Sequence, residues 1–199
     1  MNRLDHDDRI DAHDWIYEMR RDMQEILPGL WLGPYHCSKD KEALKGKGIT
    51  HMLCIRDPNE RNWVKTLYPD EFVYHVIEVT ESPLQNLIPY FAGCREFIDQ
   101  AFASGGRVFV HCSSGISRSP CFVVAYIMMS KNWEFQKAYS FVQNRRFCMN
   151  PNEGFKYQLK EYEPIWKANE DETIKKYDDI QILQQGRLKR VMRGDPEQE

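Results

Sequence analysis

Apolar positions along the chain form short β-like runs in its first half and helical periodicities in its second. From Trp15 to about Ile26, Ile16, Met19 and Met23 recur at helical spacing, which predicts a short amphipathic helix. Pro28-Gly29 breaks that pattern, and Leu30-Trp31-Leu32 ahead of Gly33-Pro34 predicts a first short strand. The β-rich runs at 49–55 and 72–77 predict two more. Ile88, Phe91, Phe97, Ile98 and Phe102 favour a helix over 87–103, ended by Gly105-Gly106, after which Val108-Phe109-Val110 reads as a buried strand. Further helices are predicted at 119–130, 134–145 and 152–168. Strands that alternate with helices and give way to a helical C-terminal half predict an α/β fold.

Composition narrows the function classes. With 42 % hydrophobic and 13 % aromatic residues in 199, the chain can bury the core of one full-sized domain. That domain is expected at 26–168, after a tail with a short helix at 1–25 and before a charged, flexible tail at 169–199. The 27 basic and 30 acidic residues leave a formal charge of −3, which disfavours nucleic acid or an anionic membrane as partner. The acidic start MNRLDHDDRIDAHD is unlike a targeting segment, and no apolar run is long enough to predict a membrane span. Six scattered cysteines without a CxxC pair argue against a zinc cluster or a disulfide scaffold. The expectation is a monomer with reduced thiols in the cytoplasm, and in the nucleus if the basic cluster from Arg187 to Arg193 guides import.

Candidate chemistry gathers after the buried strand. From Val108 to Pro120 an apolar strand delivers Cys112 to its C-terminal end, where α/β folds place ligands. A loop of small residues follows, and Ser119-Pro120 opens a helix, proline suiting its first turn. Successive backbone N–H groups turned inward at a helix N-terminus make an anion cradle. Arg118 would close it with a planar fork that matches two phosphate oxygens, and the same positive potential favours a nucleophilic thiolate at Cys112. A buried cysteine alone is more often an inert small hydrophobe. The full string H-C-x-x-G-x-x-R-S, however, arises by chance in roughly one chain in ten thousand. A cysteine separated from an arginine by five residues suits phosphoryl transfer through a phosphocysteine, with neither metal nor other cofactor required.

The string HCSSGISRS resembles the signature of the cysteine-dependent protein tyrosine phosphatase superfamily, and GISRSP within it resembles the dual-specificity branch. The resemblance runs over about residues 26–168, through EILPGLWLGPY, YFAGCREFID and RRFCMNPNEGFKYQLKEYE. It implies a central mixed sheet flanked by helices. It also implies hydrolysis of phosphotyrosine and phosphoserine/threonine on proteins, with Cys112 as nucleophile. The phosphate would be held by Arg118 and the amides of Ser113, Ser114, Gly115, Ile116 and Ser117. These loop residues carry no lysine of the kind found in phosphoinositide-directed relatives, so a phosphoprotein is the expected substrate.

Other roles follow by the same resemblance. Ser119 would stabilise the Cys112 thiolate as the phosphocysteine breaks down, or serve as an N-cap. His111 would lie beneath the loop and hydrogen-bond it, although an isolated histidine near a strand end is more often a core residue. Asn150 would support the loop, or simply mark a helix-start turn. The family's general acid is an Asp on a mobile loop ahead of YFxxxxxFID; Glu81 stands at that position here, with Glu78 as fallback. The additional methylene moves the proton by about 1 Å, a misplacement that can cost about 100-fold in rate. The flanks resemble a branch in which glycine replaces the nucleophile, so the alternative is a phosphoprotein-binding or kinase-anchoring adaptor with little turnover. Lys175-Lys176 before Ile180-x-Ile182 resembles MAP kinase docking peptides, though a solvated helical extension explains the pattern as well. The expected partners are phosphorylated proteins, MAP kinases among them.

Overall fold

Five strands form one mixed sheet: β1 (Gln24–Leu27), β2 (Leu30–Pro34), β3 (His51–Arg56), β4 (Val73–Glu78) and β5 (Val108–Cys112). Their order is β1-β2-β5-β3-β4, with β1 antiparallel to β2 and every other pairing parallel. This computed structural model describes residues 15–168. Contacts divide the chain into two units, Met1–Lys160 and Glu161–Glu199, and the fold and site lie in the first. Residues 1–14 of the expected N-terminal tail, the tail expected at 169–199, the docking-peptide pattern at 175–182 and the basic cluster at 187–193 lie outside the described residues.

β5 is the central strand, and all five of its residues are buried. Because side chains alternate, Phe109 and His111 face one side of the sheet, and Val108, Val110 and Cys112 the other. Phe109 joins Leu44, Ile49, Met52 and Phe72 in a cluster beneath α1 (Lys41–Gly46), a short helix capped by the Asp40 carboxylate on the Ala43 N–H. On the other face α3 (Arg118–Lys131) lies across β2, β3 and β5, with every residue from Arg118 to Met129 buried. A helix apolar all round is what a central position requires. α2 (Ile88–Ala103) and α4 (Phe135–Arg145) flank it. A last helix begins at 153 and runs to 168, where the described residues end.

The helix expected from Trp15 to Ile26 is not formed. Tyr17–Arg21 makes one 3-10 turn, and Gln24–Leu27 is strand β1. Pro28-Gly29 is the reason: Gly29, at φ 84°, turns the chain so that Leu27 pairs with Leu30, and sheet pairing outweighs the helical spacing. Among the described residues no helix is long and apolar enough to cross a membrane.

Candidate active site

The loop from Ser113 to Ser117 is shaped by what its carbonyls bind. Ser113 O accepts from Tyr35 N (3.3 Å), and Ile116 O from Asn150 N (2.8 Å). Ser114 O and Gly115 O accept from Arg146, at 3.4 and 2.7 Å. In a trans peptide the following N–H points opposite to the carbonyl, so the amides of 114–117 are left facing the other way. That way lies a cavity of about 550 Å³, lined by Glu81, Ser113, Ser114, Ile116, Ser117, Arg118 and residues 150–153. Gly115 has φ 66°, and a Cβ there would lie 2.4 Å from the Gly33 carbonyl carbon and 2.7 Å from the Arg146 guanidinium. No other residue fits. Asn150 meets the loop through its backbone N–H.

Cys112, 1 % exposed, is enclosed by this loop. Its Sγ accepts from Gly115 N and Ser119 Oγ, both at 3.2 Å, two donors of the kind that hold a thiolate. Ser119 is therefore not a helix cap; α3 starts at Arg118 with Ser117 at the N-cap position. His111 is a fully buried core residue. Its ring stacks on Phe109 (5.3 Å), and both ring nitrogens are buried without a hydrogen-bond partner among the described residues. Burial pushes its pKa down to about 3, against a smaller upward pull from the Cys112 backbone, so the ring is neutral.

Arg118 is braced by an acidic partner outside the motif. Its Nη1 and Nη2 donate to the two oxygens of Glu60, both at 2.8 Å, and Nη2 also donates to Ser113 Oγ (2.8 Å). The buried Nε makes no hydrogen bond and lies 3.3 Å from Glu81 Oε2 in an ion pair. The edge available to an anion is thus Nε with the Nη2 hydrogen directed at Ser113. Glu81 reaches the same place from across the cavity, its Oε1 accepting from Ser117 Oγ (2.6 Å) and Asn152 Nδ2 (2.8 Å). Glu78 does not reach it. Arg61 and then Arg56 hold the Glu78 carboxyl down at a pKa of about 2, against a burial contribution, so it is an ionised strut rather than a proton donor.

Glu60, Asn152 and Arg146 escape motif reading. Glu60 had one legible signal: Asp57-Pro58-Asn59-Glu60 is a capping box, with Glu60 Oε2 accepting from Asp57 N (2.8 Å). Burial raises the Glu60 pKa, but Arg118 and this backbone bond outweigh it and the net direction is down. Asn152 N-caps the last helix through Phe155 N (3.0 Å) as well as holding Glu81. Among the described residues no cluster of three or more His, Cys, Asp or Glu could hold a metal ion.

A family model described as "Dual specificity phosphatase, catalytic domain" matches residues 30–165. The chain belongs to that family. Among its dual-specificity relatives, the chain is 48 % identical over 160 residues to the human Serine/threonine/tyrosine-interacting protein, covering 79 % of this chain and 72 % of that protein. It is 41 % identical over 154 residues to Dual specificity protein phosphatase 1B of Arabidopsis thaliana, covering 77 % and 89 % respectively. The crystal structure of human tyrosine phosphatase-like serine/threonine/tyrosine-interacting protein matches with a TM-score of 0.72 and 47 % identity, covering 73 % of this chain and 98 % of that one. The fold is that of a dual-specificity phosphatase. The flanks MRRDMQEILPGLWLGPY and NRRFCMNPN resemble the interacting protein, regarded as a pseudophosphatase with glycine in the nucleophile's place; Cys112 holds that place here.

Proposed function

We propose that this chain hydrolyses phosphotyrosine and phosphoserine/threonine on proteins through a phosphocysteine. The observation that carries the reading is Cys112 Sγ, held by Gly115 N–H and the Ser119 hydroxyl inside a loop whose amides face a cavity shared with Arg118. In the first step Sγ attacks phosphorus in line; the S–P bond forms, the P–O bond breaks, and Glu81 protonates the departing oxygen. In the second step water attacks phosphorus and gives its proton to Glu81. The S–P electron pair returns to Cys112, where the Ser119 hydroxyl stabilises it. Arg118 and the loop amides hold the equatorial oxygens as their charge grows. The uncharged loop suits phosphoproteins, MAP kinases among them. A nucleophilic thiol must stay reduced, which suits a protein working in the cytoplasm and nucleus.

One observation favours a second reading. Every partner of the Glu81 carboxylate is a donor or a cation, so it acts as a counter-anion to Arg118. A site kept in that arrangement would bind phosphoproteins and turn them over little. Phosphate release from a small aryl phosphate separates the two. Turnover by the wild type, abolished in Cys112→Ser and raised about tenfold or more in Glu81→Asp, is the expected result. No wild-type turnover, with phosphopeptide binding intact, makes the chain an adaptor.

A further inference from the structure

Arg146 is the largest fully buried side chain among the described residues. A buried cation ordinarily has a carboxylate beside it. Among the described residues no carboxylate is in ion-pair contact with Arg146; the Asp22 carboxylate acts on it only at longer range. All its hydrogen bonds go to neutral oxygens: Gly115 O and Ser114 O in the loop, Asp22 O (2.9 Å) and Arg20 O (3.2 Å) before β1, and Gln24 Oε1. Gln24 is itself buried and anchored by its amide nitrogen on Met19 O (2.8 Å). The N-terminal segment therefore solvates a full positive charge mainly with dipoles, and Asp22, its one acidic side chain acting on Arg146, does so without an ion-pair contact, so much of the field remains directly behind the loop.

We infer that Arg146 is a positioning residue for the phosphate site: it turns two loop carbonyls away from the cavity and lends the site its charge, and neutral Gln24 leaves that charge without an ion pair. The inference rests on the loop being a phosphate site, as proposed above, but not on turnover. It deepens that reading by making the segment 20–24 part of the anion site although it lines none of the cavity. One consequence follows from elementary electrostatics. A carboxylate placed at Gln24 would pair with Arg146 and cancel its field. At an effective dielectric constant of about 20 and a separation of roughly 10 Å, that costs about tenfold in anion affinity.

The test is calorimetric titration of the full chain with inorganic phosphate, together with the pH profile of Cys112 alkylation by iodoacetamide. The charged and titratable groups about Cys112 are Arg118 with Glu60 and Glu81, Arg146, the neutral His111, and the thiols Cys54 and Cys121. Asp22 and the thiols of Cys37 and Cys148 face Arg146 as well, and of all these groups Arg146 is the one that Gln24 touches. Gln24→Glu is expected to weaken phosphate binding about tenfold and to move the alkylation profile to higher pH. Gln24→Leu, which removes the acceptor without adding charge, loses less. Equal losses in both variants, or an unmoved alkylation profile in folded Gln24→Glu, would overturn the inference. Should Gln24→Glu melt below the assay temperature, Arg146→Lys decides. Its ammonium cannot span both loop carbonyls and the N-terminal segment, so affinity falls in a folded chain; unchanged affinity sinks the idea. Wild type that binds phosphate without turnover refutes the phosphatase reading and leaves this one standing, whereas wild type that binds no phosphate refutes both.

Discussion

A guanidinium carries five donors, and in Arg118 the order in which they are committed decides what the site can hold. Glu60 takes one from each terminal nitrogen, fixing the plane of the group from a position 58 residues earlier in the chain. Glu60→Gln removes the charge and one strong acceptor from a largely buried pair. It is expected to lower stability by about 1–3 kcal/mol in thermal melts. By loosening the plane of Arg118 it should also cut kcat/KM on an aryl phosphate about tenfold. His111 offers a cleaner experiment, because it is neutral when folded and protonates near its ordinary value when unfolded. Its folded pKa is depressed to about 3, so between about pH 6.5 and 3 the unfolded chain binds the additional proton and stability falls as pH falls. His111→Phe, with no ring nitrogen to strand, is expected to flatten stability across that window in denaturant titrations at several pH values. Cys112 and Arg118 were legible because one loop carries both at fixed spacing. Glu60 and Arg146 were not, because what they contact is set by the fold and not by their neighbours in sequence.

Among the elements, the segment 79–87 carries Glu81, the expected acid position. It is fastened along its length. Thr80 donates twice to Gln85 Oε1, Gln158 bonds Leu87 N (2.7 Å) and Gln85 O (2.8 Å), and Asn152 holds Glu81. Gly154 makes this docking possible, since a Cβ there would lie 2.2 Å from Pro83 O. Gly154→Ala is therefore expected to push the loop outward, lowering kcat by up to about 100-fold with KM little changed and the circular dichroism spectrum intact. The strands and long helices were readable because their apolar runs are unambiguous in length and period. α1 was not, since Leu44 is its one buried residue and its main signal is the Asp40 cap. β1 was misread because four residues of mixed burial carry little period of either kind, and the Pro28-Gly29 turn decided the matter.

Over the whole molecule, charge is arranged so that acid loosens it from more than one place. Glu78, clamped by Arg61 and Arg56, has its folded pKa lowered from 4.5 to about 2. The stability it contributes is complete above its unfolded value and is lost as pH falls toward 2. Glu78→Gln should accordingly melt below wild type at neutral pH, with the gap closing as pH is lowered from about 5 toward 2. A different consequence lies in the strand order. β2 and β3 flank the centre of the sheet but never pair with each other; the place between them belongs to β5, which follows β3 by some fifty residues of chain. A nascent chain that has emerged only through β4 thus presents two half-sheets with facing, unsatisfied edges, and the strand that joins them also brings the nucleophile. Sheet closure and active-site assembly become one late, long-range event in folding, the stage at which exposed edges invite association with other chains.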